Sequence, residues 1–188
     1  MSGFRHLGDR LVHQGHVWSV AVAEFVAPDG EVFHRDVVRS PGAVAAVPLW
    51  FAPDGTPMVT LVRQYRAPYD DLVIEIPAGM RDVAGEPTEV TAARELVEEV
   101  GLRAGHLEFL LHFYPSAAMT DSVLHLYLAT DLTPVEREQH GPEETHMEVF
   151  EVSLADAVKM VIGGEIHDAK TIIALLLVER RLGAVPAL

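Results

Sequence analysis

The chain contains no cysteine. That excludes disulfides, thiolate nucleophiles and cysteine-held zinc. Basic residues are scarce: 14 Lys and Arg against 28 Asp and Glu give a formal charge of −14 over 188 residues. Such a balance repels nucleic acid and anionic membrane surfaces, so neither is expected as a partner. A small anionic substrate stays open, because a bound cation inverts the local field. No apolar run is long enough to cross a bilayer; "IIALLLV", near the C-terminus, is far too short. The opening "MSGFRHLGDRLVHQGH" has no apolar segment of the kind a secretory signal needs. Together these absences predict a soluble cytoplasmic protein.

What is present is enough for a sizeable core, with 49% hydrophobic residues. Apolar runs separated by turn signals predict strands at Val17–Val26, Glu31–Arg39, "AVAAVPLWF", "MVTLVRQY", "LVIEIP", "HLEFLLHFY", "VLHLYLAT" and "HMEVFEV". Helices are predicted at Pro87–Val100, Leu154–Ile162 and Ala169–Arg181. Strands dominate the front and middle, so the fold class is α+β, a mixed sheet with flanking helices. The longest polar connection, Leu132–Glu144, is a candidate functional loop. None of the ten histidines shows ligand spacing.

The stretch "RELVEEVGL" is electrostatically awkward. Gly101 reads as the C-terminal cap of a helix beginning near Pro87. Glu95, Glu98 and Glu99 then crowd the end where the helix dipole is negative, each at a cost of about 0.3–1 kcal/mol. Only Arg94 offers a compensating charge within the helix. Val90, Ala93, Val97 and Val100 form an apolar stripe, which places the three carboxylates on the opposite side. The cluster is either a solvated acidic face or a site for a hard divalent cation such as Mg²⁺, with Mn²⁺ as a substitute.

These residues resemble the Nudix hydrolase box, G-x5-E-x7-R-E-U-x-E-E-x-G-U, where U is a bulky apolar residue. Glu86, Arg94-Glu95-Leu96, Glu98-Glu99 and Gly101-Leu102 fit it throughout. Gly79 and Glu86 enclose six residues, "MRDVAG", in place of five. The longer loop is similar to that of bacterial ADP-ribose pyrophosphatases, as are "VRQYR", "IEIPAG", "LHLYLAT" and "GEIHDAKTIIALLLV".

The resemblance implies a Nudix-type mixed β-sheet sandwich flanked by helices. Residues 1–42 would supply an N-terminal strand pair for a homodimer, and 43–188 the hydrolase domain. Glu95, Glu98, Glu99 and the Ala78 carbonyl would hold Mg²⁺. Arg94 would orient a box glutamate, and Glu86 would tie the loop to the helix. The general base would be Glu144 or its neighbour Glu143. Arg39, Arg66 and Met80 would contact substrate. Trp18 would stack a nucleobase unless it is a core residue. The implied reaction cleaves the diphosphate of a nucleoside diphosphate derivative, ADP-ribose foremost. Another nucleotide sugar, a dinucleotide, or non-catalytic sensing stands as the alternative. One departure touches the substrate: Ala117-Ala118 follow Ser116 where that subfamily carries Pro-Gly.

Overall fold

A computed structural model describes residues 3–138 and 145–184. The chain divides into two compact units, Met1–Gly42 with Phe113–Leu124, and Ala43–His112 with His125–Leu188.

The first unit is an antiparallel three-stranded sheet: β1 (Arg5–Gln14), β2 (Ser19–Val26) and β3 (Val32–Arg39), in that spatial order. β1 is an addition to the strands expected from sequence. All ten of its residues are exposed, so it carries no one-sided burial pattern to betray it. Ala21 and Ala23 of β2 are the buried points of this sheet. The segment between Phe113 and Leu124 joins it through Val38, whose N–H donates to the Met119 carbonyl at 2.9 Å.

The second unit is built on a seven-stranded sheet. Its path runs β10 (Glu148–Ser153), β5 (Pro57–Arg66), β4 (Ala43–Phe51), β9 (Leu124–Pro134), β8 (Leu102–Phe113). β6 (Asp71–Glu75) pairs with β5, and β7 (Ala78–Met80) pairs with β4. Val44 to Leu49 are buried without interruption, as a strand covered on both faces must be. Helix α1 (Thr88–Val100) packs against β4 and β7; Leu96 and Val100 meet Val44, Ala46, Val62 and Ala129 in a continuous core. Helix α2 (Leu154–Gly163) packs on β5 and β10, and α3 (Ala169–Ala184) on α2 and β4. This is the mixed sheet with flanking helices expected from sequence, with β7 as a short further strand.

Candidate active site

Helix α1 carries the acidic cluster, and its ends follow from local chemistry. Pro87 stands at the N-cap in extended conformation, one position earlier than the first-turn place expected of it. Gly101 closes the helix with φ 65°, and its N–H donates to the Leu96 and Val97 carbonyls. A positive φ there strains any residue with a Cβ, so glycine at this position is structural. Near the first turn, the hydroxyls of Thr88 and Tyr127 hydrogen-bond at 2.6 Å, tying the helix to β9. Thr91 Oγ1 donates to Glu86 at 2.8 Å, joining the preceding loop to α1.

The buried face differs from the expected stripe. Val90 is exposed, while Thr91, Ala92, Glu95, Leu96, Glu99 and Val100 are buried. Two i,i+4 rows therefore point inward, one apolar (Ala92, Leu96, Val100) and one polar (Thr91, Glu95, Glu99). Glu95 and Glu99 are not on a solvated face. The helix turns them toward the Ala78-Gly79 segment of β7, where main-chain groups meet them.

Two contacts define that meeting. The Ala78 N–H donates to Glu99 Oε2 at 2.9 Å. At Gly79 a Cβ would stand 1.8 Å from Glu95 Cδ and 2.1 and 2.2 Å from its two oxygens. Only glycine lets the carboxylate lie against the backbone so closely. Burial, reinforced by the neighbouring Glu95 charge, pushes the Glu99 carboxyl up to about 8, against the Ala78 hydrogen bond and the Arg66 and Lys170 charges.

Arg94 gathers the outer acids. Its Nη1 donates to Glu98 Oε2 at 2.8 Å and lies 3.1 Å from Glu95 Oε1; its Nη2 reaches Asp82 at 3.3 Å and Glu86 at 3.7 Å. Its Nε is buried with no hydrogen-bond partner among the described residues. Among the described residues, no three histidine or acidic side chains already converge as a metal shell. The donor chemistry nevertheless fits a hard divalent cation. Glutamate oxygens are packed against backbone, and burial favours the uncharged form of the Glu99 carboxyl at neutral pH, a penalty that a bound cation would offset.

Arg66, at the end of β5, is gripped by Glu75 through a two-point fork, Nε to Oε1 at 2.6 Å and Nη2 to Oε2 at 2.7 Å. Lys170, on the first turn of α3, also donates to Glu75 Oε2. Sequence reasoning missed Glu75, Lys170 and the steric role of Gly79. The signal for Glu75 was available: it is the one charge inside the apolar run "LVIEIP".

The remaining expected residues are Met80, Trp18, Arg39, Glu143 and Glu144. Met80 is half-buried at the end of β7, paired with Ala43. Trp18 and Arg39 belong to the first unit. Trp18 is 53% exposed, which removes the core alternative. Arg39 commits all three guanidinium nitrogens: Nε and Nη2 to Asp9 at 2.8 Å each, and Nη1 to Asp121 at 3.2 Å. That ion pair holds Asp9 at about 2. Glu143 and Glu144 lie outside the described residues.

Comparison with known proteins bears on the family and the fold. Residues 40–175 match the NUDIX domain. The chain is 37% identical over 164 residues to an ADP-ribose pyrophosphatase of Bacillus subtilis (strain 168), covering 87% of this chain and 86% of that protein. It is 36% identical over 175 residues to an ADP-ribose pyrophosphatase of Mycobacterium tuberculosis, covering 93% and 83%. The crystal structure of an ADP compounds hydrolase superposes with a TM-score of 0.81 at 23% identity, covering 98% of this chain and 97% of that one.

Proposed function

The chain belongs to the Nudix domain family, and from that premise we propose that it hydrolyses ADP-ribose to AMP and ribose 5-phosphate. The observation that carries the reading is the buried pair Glu95 and Glu99, seated against Ala78-Gly79 beside the Arg66–Glu75 fork. These oxygen donors suit a hard divalent cation, whose charge would offset the cost of burying Glu99 as a carboxylate. Two relatives named for ADP-ribose, each covered over more than four-fifths of its length, support the substrate.

In this reading Glu95, Glu98, Glu99 and the Ala78 carbonyl would hold Mg²⁺, for which Mn²⁺ could substitute. The bound ion would supply Lewis-acid neutralisation of the diphosphate oxygens and lower the pKa of a coordinated water. The protein's own residues do the rest. Arg94 holds Glu98 and Glu95 in place by charge-assisted hydrogen bonds. Arg66, fixed by Glu75, directs positive charge at the diphosphate. Glu144 or Glu143 takes a proton from the attacking water. Water adds to one phosphorus, and the bridging oxygen leaves with the other phosphate. Met80, Trp18 and Arg39 remain substrate-contact proposals resting on family resemblance alone.

Two copies are proposed to associate through residues 1–42. The exposed Phe4, Leu7, Leu11, Val12 and Trp18 of the first unit are what supports this. A cytoplasmic location is proposed with it; among the described residues no helix is long and apolar enough to cross a membrane.

The test is product identification with Mg²⁺, comparing kcat/KM for ADP-ribose with ADP-glucose, NADH and diadenosine polyphosphates. ADP-ribose should lead. A competitor faster by about tenfold, roughly 1.4 kcal/mol in transition-state binding, would reassign the substrate and leave the hydrolase standing.

A further inference from the structure

We propose that Glu75 is a positioning residue of the active site, the shared counter-ion through which Lys170 on α3 and Arg66 on β5 are locked together, so that Arg66 presents its remaining guanidinium edge to a substrate diphosphate. The inference deepens the hydrolase reading and rests on it.

The argument begins with burial. The Glu75 side chain is only 3% exposed, and a lone carboxylate so placed would be costly. It is kept because two cations share it. Arg66 takes both oxygens with Nε and Nη2, and Lys170 joins at Oε2. Burial works to raise the Glu75 carboxyl, but the two cations outweigh it and hold it below the ordinary range.

The two cations are not equivalent. Lys170 is 12% exposed and has a second acid beside it, Asp168 Oδ1 at 3.1 Å. Its charge is absorbed within the fold. Arg66 makes its hydrogen bonds among the described residues to the shared carboxylate alone, its side chain is 40% exposed, and its Nη1 has no hydrogen-bond partner among the described residues. The nitrogen left open is therefore Arg66 Nη1, held in a fixed direction by the fork. A planar guanidinium anchored on one edge keeps the other edge pre-aligned for a phosphate.

The same short segment also sets the carboxylate side of the site. Directly after Glu75, the Ile76 N–H donates to Thr171 Oγ1 at 2.9 Å, and Thr171 is held by Asp168. Two residues further, the Ala78 N–H reaches Glu99. Glu75 to Ala78 thus links the Arg66 fork, the start of α3 and a candidate metal ligand. An ionised Glu99 would act on Arg66, so the two share one electrostatic neighbourhood.

The experiment measures calorimetric binding of the α,β-methylene analogue of ADP-ribose, which cannot be hydrolysed at the bridge, with saturating Mg²⁺. Wild type, Glu75→Gln, Arg66→Ala and the double variant are compared, with melting temperatures for each. Glu75→Gln should weaken binding tenfold or more and lower kcat/KM for ADP-ribose in step. The double variant should bind no more weakly than Arg66→Ala alone, because Glu75 acts through Arg66. Glu75→Asp keeps the charge, and its shorter arm cannot span the same fork. It should fold and lose binding severalfold, which decides the matter if the glutamine variant is unstable. A folded variant that binds within twofold of wild type, binds more tightly, or shows additive losses would overturn the proposal, since a purely structural Glu75 lowers the melting temperature alone. If wild type releases no AMP from ADP-ribose, the substrate reading falls. The same cycle run with inorganic pyrophosphate then decides the positioning role, and a wild type that binds neither diphosphate overturns both.

Discussion

Replacing Glu99 by glutamine should destroy turnover and at the same time raise the melting temperature of the metal-free protein. Glu99 is 5% exposed and its carboxyl is pushed from an ordinary 4.5 to about 8. A carboxyl raised in the folded state holds its proton longer than in the unfolded chain. Its stabilising contribution is complete below pH 4.5 and is lost as pH rises toward about 8. At pH 7 the unfolded chain has released the proton and the folded chain has not. At about 1.36 kcal/mol per pH unit, that difference costs the fold up to about 3 kcal/mol relative to acid conditions. Glutamine can still accept the Ala78 N–H and carries no charge. The variant should gain about 1–3 kcal/mol at pH 7, or roughly 3–10 °C in Tm for a chain of this size. The gain should shrink to nothing as pH falls to 4.5 and grow toward pH 8. Mg²⁺ should raise the wild-type Tm, because it binds the folded site and not the scattered carboxylates of the unfolded chain, and should do much less for the variant. The assay is thermal melting of both proteins from pH 4.5 to 8, with and without Mg²⁺, alongside turnover. Parallel melting curves across that range would refute the burial argument. Near-normal activity at saturating Mg²⁺ would refute Glu99 as a ligand.

Gly79→Ala adds one methyl where Glu95 already stands within 2.2 Å; the carboxylate must move, and kcat should fall by about 10² with a stability loss of about 1–3 kcal/mol, read by kinetics and denaturant titration. Glu144→Gln should lower kcat by about 10²–10⁴ with substrate affinity little changed; the same loss at Glu143 alone moves the base by one residue, and no loss at either removes the loop from the mechanism. Light scattering at micromolar concentration should report a dimer, and a monomer would withdraw the role proposed for residues 1–42.

Sequence alone determined whatever depends on near neighbours. Gly101 ends α1 because a left-handed turn admits glycine, and that was legible from one residue after an acidic run. The spacing of Arg94, Glu95, Glu98 and Glu99 put these four side chains on one helix, and alternating apolar runs gave most of the strands. Tertiary structure decided what depends on distant partners. Val90 counted as apolar spacing yet is exposed, while Glu95 and Glu99 are buried, because β7 supplies a backbone N–H for one and a missing Cβ for the other. Glu75 and Lys170 stand 95 positions apart, and nothing local pairs them. The segment between Phe113 and Leu124, which carries Ala117-Ala118, sits with the N-terminal strands through Val38. Helix faces and caps arise within a few residues, where spacing is the geometry itself. A buried charge is tolerated only when the fold brings its partner, and that partner can lie anywhere along the chain.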